Sequence, residues 1–281
     1  MNSSLLLSIV TFVYCLAAFL YIAAWVFKKK ELAVAATWVT IAALVGNVAG
    51  LGMRWHESYQ IGDGSYGHAP LSNLYESLVF FAATIALIYL VVEYNYKNRT
   101  LGAFVMPIAF LCMAYASFGT MNKIQPLIPA LKSNWLIAHV ITCFFGYAAF
   151  AISFGVSLIF LLKDRSQDNN EDAGHSFLPS VALLEELTHQ MVTFGFLFLT
   201  IGIITGAVWA NSAWGSYWTW DPKETWSLIT WFVYASLLHA RFARGWGGRR
   251  IAYLSIIGFM AVLFTYFGVN YLPGLHSYGS V

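Results

Sequence analysis

An all-α polytopic membrane protein is the predicted fold, with about eight transmembrane helices and both termini on the outer face. Three observations predict it. The 281-residue chain is 59% hydrophobic and 10% charged, with a mean hydropathy of +0.65. A soluble domain of this size needs far more surface charge. Apolar stretches recur along the chain, close to the ~20 residues that cross roughly 30 Å of hydrocarbon as a helix. Lys and Arg gather between alternate stretches, the mark of a fixed orientation in the bilayer. Backbone inside lipid must satisfy its own hydrogen bonds, so these stretches read as helices. The lipid bilayer is the expected partner, and nucleic acid is not.

The expected spans are about 5–27, 33–53, 73–93, 101–119, 135–162, 187–209, 225–243 and 250–270, in one membrane domain over 1–281. The first is not a cleavable signal, because its charges, Lys28 to Lys30, follow the apolar run instead of preceding it. The second leads into a 54–72 loop with Arg54, His56 and His68. Pro107 is the only mid-span proline, in the fourth. The fifth carries His139 about one turn from its outer end. An acidic 163–186 linker, read as solvated, precedes the sixth. Asp221-Pro222-Lys223-Glu224 opens the seventh: Asp as N-cap, Pro at the first position and Glu at the third. The eighth ends shortly before His276.

Placing the 27–33, 94–100, 163–186 and 241–250 connections inside collects eleven of the fifteen Lys and Arg residues. Arg54, Lys123, Lys132 and Lys223 remain outside. The termini and the 210–226 segment then face outward. Cys15, Cys112 and Cys143 are scattered within spans and read as small core residues. Without a C-x-x-C-H segment, the chain cannot carry covalent haem through the usual attachment motif.

The 214–226 stretch holds four of the eleven tryptophans: Trp214, Trp218, Trp220 and Trp226. Such flat aromatic area suits either a large planar ligand or the headgroup layer. Trp209, Trp214 and Trp231 fit ordinary interface aromatics. Trp218, Trp220 and Trp226 cluster about a turn containing Gly215, which lets backbone approach a ligand closely.

Ionisable groups within spans are costly and usually functional. His139 and His276 fall at the outer ends of their spans, on the face of the tryptophan loop. Haem would use all three elements, with nitrogen ligands on either side of iron and aromatic contacts to the porphyrin. His239 lies roughly 20 Å deeper at 1.5 Å per residue, one turn before Arg241 and Arg244. An imidazole beside guanidiniums suits a second haem position, the arginines meeting propionates. The plainer reading makes each histidine an interhelical hydrogen-bonding group, the arginines inside-facing charges, and His56, His68, His175 and His189 solvated.

Residues 214–228, Trp-Gly-Ser-Tyr-Trp-Thr-Trp-Asp-Pro-Lys-Glu-Thr-Trp-Ser-Leu, resemble the tryptophan-rich WWD signature of haem-handling proteins. In particular they resemble the CcsA/ResC component of the System II cytochrome c synthase. Gly67-His68-Ala-Pro70-Leu-Ser72-Asn73-Leu-Tyr75-Glu76-Ser77, Leu238-His239-Ala-Arg241, Gly245-Trp246-Gly-Gly-Arg249-Arg250 and Gly274-Leu275-His276-Ser277-Tyr278 extend the similarity over most of the chain. The System I haem-export and lyase proteins fit less well in span number, length and the residues after Asp221.

The resemblance implies haem b as substrate. His139 and His276 would be its outer ligands and His239 a transmembrane ligand. Trp214, Trp218, Trp220, Asp221 and Trp226 would form the platform, with no catalytic residue separate from haem positioning. It implies a cytochrome c synthase (haem lyase) subunit that needs a CcsB/ResB-type membrane partner, an apocytochrome c substrate and a thiol-reducing pathway. The implied location is the bacterial inner membrane, or the thylakoid membrane if plastid-encoded. Arg54, His68 and Glu76 stay without an assigned role. A haem or organic-solute exporter without ligase chemistry is the alternative, and a membrane scaffold anchored by tryptophan a third.

Overall fold

Each apolar run becomes a helix, and several start at a residue whose side chain caps the first turn. The computed structural model describes residues 2–61, 66–118, 123–127, 131–168 and 178–274. Helix α1 (Ser3–Phe27) starts where the Asn2 side chain accepts from the Leu5 N–H and stops at Lys28. Helix α2 spans Lys30–Gln60. Helix α3 (Leu74–Tyr96) starts at Asn73, whose side chain accepts from the Glu76 N–H. Helix α4 is Gly102–Phe118 and α5 is Asn134–Asp168. Helix α6 (Val181–Trp214) is capped by Ser180, α7 covers Pro222–Arg244 and α8 covers Gly248–Tyr266. A 3₁₀ turn, Gly268–Tyr271, follows. The described residues contain no strand.

The eight expected spans correspond to these eight helices, but among the described residues six helices are long and apolar enough to cross a membrane. The chain is therefore a multi-pass membrane protein. Helix α4 has 17 residues, and Pro107 inside it removes one backbone donor. Helix α7 is long enough but carries Lys223, Glu224, His239, Arg241 and Arg244. Helix α2 continues to Gln60, so Arg54 and His56 are helical and do not belong to a loop.

The described chain divides into two compact units, α1–α4 and α5–α8 with the 3₁₀ turn. In the first unit, α1 packs on α2 and α4, and α3 packs on the same two, closing a four-helix ring. Buried Glu93 binds this ring together. It accepts from Tyr21 Oη at 2.6 Å, Tyr89 Oη at 2.7 Å and Thr37 Oγ1 at 2.5 Å, with Arg99 Nε at 3.2 Å. Those donors come from α1, α3, α2 and the turn before α4. Elsewhere in the unit, Asn47 Nδ2 reaches the Val79 carbonyl at 3.2 Å.

The second charged cluster of this unit overturns the reading of His68 as solvated. Arg54 and Glu76 are each 1% exposed and His68 is 6% exposed. Arg54 Nε donates to Glu76 Oε1 at 2.7 Å. Glu76 Oε2 accepts from the Ser72 N–H at 2.9 Å and Ser72 Oγ at 2.8 Å. His68 Nε2 lies 3.1 Å from Ser72 Oγ, and its Nδ1 meets the Tyr66 carbonyl at 2.5 Å. The Arg54 guanidinium also lies over the Tyr75 ring, at 5.0 Å. Sequence spacing could not reveal this cluster, because its cation and anion come from different helices.

In the second unit, α5 packs on α6 and α8, and α7 packs on α6 and α8. The α5–α6 pair runs antiparallel over glycines: a Cβ at Gly146 would meet the Gly195 carbonyl at 3.0 Å, and one at Gly195 would meet the Phe150 ring at 2.5 Å. Close backbone approach over small residues is a general mode of helix packing in membranes. Phe150 stacks on Tyr234 of α7 with centroids 3.5 Å apart. Ser153 and Ser255 share a hydrogen bond at 2.8 Å, as do Thr230 and Thr265 at 2.9 Å. At the far end, Asp164 pairs with Arg249, and Glu185 Oε1 accepts the Gly248 N–H at 2.5 Å. The acidic linker residues Asp164 and Glu185 are thus helical and engaged, which corrects their reading as solvated.

Glu93→Ala is expected to cost roughly 2–4 kcal/mol, because it strands buried hydroxyl donors. Glu93→Gln, which keeps an acceptor, should lose less; unfolding of the detergent-solubilised protein measures both. Arg54→Leu should lose roughly 3–5 kcal/mol by leaving the buried Glu76 carboxylate without its cation, and Arg54→Leu/Glu76→Leu should recover much of it.

Candidate functional site

The tryptophan loop is held by both helices that it joins. Helix α6 ends in a left-handed Gly215 (φ 76°), whose N–H bonds the Asn211 carbonyl. Helix α7 begins with the capping box expected from Asp221 and Glu224: the Asp221 side chain accepts from the Lys223 N–H at 2.9 Å, and Glu224 Oε2 accepts from the Asp221 N–H at 3.2 Å. Glu224 Oε2 also accepts from the Thr219 N–H at 2.7 Å and from Thr219 Oγ1 at 3.2 Å. One carboxylate therefore grips the residues on either side of Trp220. Glu224 is 9% exposed, and its other oxygen is buried without a hydrogen-bond partner among the described residues.

Trp220 has φ 58°, uncommon for a bulky residue. Its indole is 68% exposed and meets Trp218 edge-on at 5.7 Å. Burial holds the neighbouring Lys223 ammonium below its ordinary range, with the Asp221 carboxylate pulling the other way.

The tryptophans fall into three groups. Trp214 packs edge-on against Trp209 at 4.8 Å, and Trp209 lies nearly parallel to the His139 ring, 6.2 Å away at 13°. Trp218, half-buried, and the exposed Trp220 form an edge-on pair. Trp226 turns to α8 and packs on Phe264 at 4.2 Å. Trp209, 3% exposed, was expected to be an interface aromatic; it is instead the link between His139 and the loop. Its role depends on α6 lying against α5, which no local pattern encodes. Trp231 donates its Nε1–H to Thr200 Oγ1 at 2.9 Å.

His139 sits on the first turns of α5, facing α6. Its Nδ1 lies 2.7 Å from the Gly202 carbonyl and 3.6 Å from Cys143 Sγ. His239 lies on an exposed stripe of α7 with Ile229, Phe232 and Ser236, residues that recur on one helical face. His189, expected to be solvated, is half-buried, with its ring 5.0 Å from Phe242 and its Nδ1 buried without a partner among the described residues. His175 and His276 lie outside the described residues. The described chain ends at Gly274, two positions before His276 in sequence, where a Cβ would meet the Asp221 carboxylate and fall 3.0 Å from Pro222 Cδ. Among the described residues, no three His, Cys, Asp or Glu side chains converge as a metal site, and the three cysteines form no disulfide.

Glu224→Ala should free the loop on both sides of Trp220, at a cost of about 1–2 kcal/mol in helix-start stability. A red-shifted, more quenchable tryptophan emission would report it, with Glu224→Gln close to wild type.

Comparison with known proteins places this architecture. Residues 71–276 match the family model described as "Cytochrome C assembly protein". The "Cytochrome c biogenesis protein CcsA" of Prochlorococcus marinus (strain MIT 9303) is 41% identical over 274 residues, covering 86% of this chain and 84% of that protein. The protein of the same name from Chlamydomonas reinhardtii is 42% identical over 234 residues, covering 81% of this chain and 63% of that protein. That from Pyropia yezoensis is 38% identical over 284 residues, covering 87% and 86%. Among solved structures, "Cytochrome c Heme Lyase CcmF" superposes with a TM-score of 0.69 at 16% identity, over 95% of this chain and 47% of that longer one, which is a likeness of fold. The chain belongs to the cytochrome c assembly family, among the CcsA proteins of cytochrome c biogenesis.

Proposed function

We propose that this protein carries haem b across the membrane and presents it at the outer face for attachment to apocytochrome c, working with a CcsB-type subunit. Its role in cytochrome c biogenesis follows from the family. The observation that carries the finer reading is the line Gly202–His139–Trp209–Trp214. It joins a fixed imidazole to the start of a rigid tryptophan loop.

In this reading His139 and His276 bind iron at the outer site. Trp214, Trp218, Trp220 and Trp226 border the macrocycle, and Asp221 supports the loop as the N-cap of α7. A Cβ at Gly274 would meet the Asp221 carboxylate, and this approach of the chain to the loop, two positions before His276 in sequence, supports a second ligand from His276. At the inner site His239 supplies one ligand and the partner the other. The exposure of His239 on this stripe of α7 supports a ligand shared across an interface. Arg241 and Arg244 in the last turn of α7 suit propionate carboxylates. Arg54 does not join them, being engaged with Glu76.

The reaction assigned to the outer site is addition of two cysteine thiols of a C-x-x-C-H segment across the haem vinyl groups. Each sulfur bonds the vinyl carbon next to the ring, and a proton goes to the terminal carbon, so no net oxidation occurs. Thiols and iron must arrive reduced, which calls for a thiol-reducing pathway. The protein contributes position: haem edge and thiols held at reacting distance lower the entropic barrier. The inside bias of Lys and Arg orients the outer site toward the periplasm, or toward the thylakoid lumen in a plastid.

The test is an absorption spectrum of the protein purified with its partner subunit, beside His139→Ala, His276→Ala and His239→Ala. A bis-histidine Soret band is expected, with one component lost in the first two variants and another in the third. A Soret band untouched by all three would refute this assignment. Thioether-linked cytochrome formed without this chain would refute the attachment role and favour an exporter.

A further inference from the structure

We propose that Gly202 and Gly206 of α6 are positioning residues for His139. They fix it as the Nδ1–H tautomer and reserve Nε2 for iron, which sets the redox balance of the outer haem. This rests on the reading of His139 as a haem ligand and adds the mechanism by which the fold prepares it.

A backbone carbonyl can only accept a hydrogen bond, so the 2.7 Å contact between His139 Nδ1 and the Gly202 oxygen requires the proton on Nδ1. Cys143 Sγ, at 3.6 Å, is the weaker acceptor and does not displace the carbonyl. The lone pair of the neutral ring is then on Nε2. The carbonyl is reachable only because α6 presents no side chain there. A Cβ at Gly206 would fall 2.6 Å from His139 Nδ1 and 2.8 Å from Cε1; one at Gly202 would fall 2.6 Å from Cys143 Sγ. Both are closer than carbon can come without displacing the ring or the thiol. Trp209, one turn beyond Gly206 on α6, lies nearly parallel to the ring at 13° and limits its tilt.

The chemical consequence follows from the general behaviour of ligating histidines. An Nδ1–H bonded to a carbonyl raises the basicity of Nε2 and fixes the ring plane. A more basic axial nitrogen favours ferric over ferrous iron. Lengthening the Nδ1···O contact should therefore move the potential of the outer haem in the positive direction and weaken haem retention, with the inner site unaffected.

Two measurements test this. In the full-length protein purified with its partner and stripped of haem, ¹⁵N-histidine NMR, assigned by the signal missing in His139→Ala, should show a protonated Nδ1 and a bare Nε2. A protonated Nε2 overturns the proposal. In the haem-loaded complex, Gly206→Ala should give a more positive outer-haem potential and a several-fold loss of retained outer haem. The component lost in His239→Ala should be unchanged. Wild-type potential and retention in Gly206→Ala, beside a Soret component lost in His139→Ala, overturn the positioning role alone. A spectrum unchanged by His139→Ala overturns the ligand reading beneath it. If Gly206→Ala does not accumulate, the NMR result on the unsubstituted chain decides the proposal.

Discussion

The close approach of α5 and α6 over glycine is the constraint on which the site depends. A backbone carbonyl on one helix reaches a side chain on another only where the intervening Cβ atoms are absent. Gly146, Gly195, Gly202 and Gly206 clear that space from the middle of the pair to its end at His139. In apolar surroundings such contact gains little from the hydrophobic effect and relies on packing and direct hydrogen bonds. The same geometry that stabilises the pair selects which histidine nitrogen carries the proton.

A second constraint shapes the α1–α4 unit: charges carried into an apolar helical bundle must be satisfied where they lie. Glu93 and Glu76 solve it in the same way, each drawing hydroxyl donors and a guanidinium from neighbouring segments. Such clusters are poor sources of net stability, since desolvation offsets much of the attraction. They are demanding about geometry, and each fixes the register of the helices that meet there. Arg54 illustrates the consequence: a lone arginine at a helix end invites assignment to a ligand, yet its Nε is committed to Glu76 at 2.7 Å.

What the sequence made legible follows from what is local. Helix number, the start of α7 at Asp221-Pro222 and the break at Gly215 depend on apolar runs, capping residues and turn chemistry, all encoded within a few neighbouring positions. The extension of α2 to Gln60 and of α6 back to Val181 went unseen because hydropathy marks the lipid-crossing part of a helix and not its polar ends. His139 stood out in the sequence as an ionisable group in a span. Its partners were not, because Gly202 is 63 residues away and acts through its backbone. Trp209 was masked for the same reason: an aromatic at the end of a membrane helix has an adequate explanation in the interface until a second helix is laid against it.

The tryptophan loop combines both constraints. Trp220 adopts a left-handed backbone that costs of order 1–3 kcal/mol for a non-glycine residue. Glu224 offsets that cost by accepting hydrogen bonds from Thr219 and Asp221 on either side. The carboxylate belongs to the first turn of α7, so the backbone that carries the exposed indole is tied to that helix. A headgroup anchor gains nothing from a strained backbone, since an indole in the interface can sit on any helical turn. Strain held by a buried carboxylate is understandable where one flat face must be presented in one orientation, as a planar substrate requires.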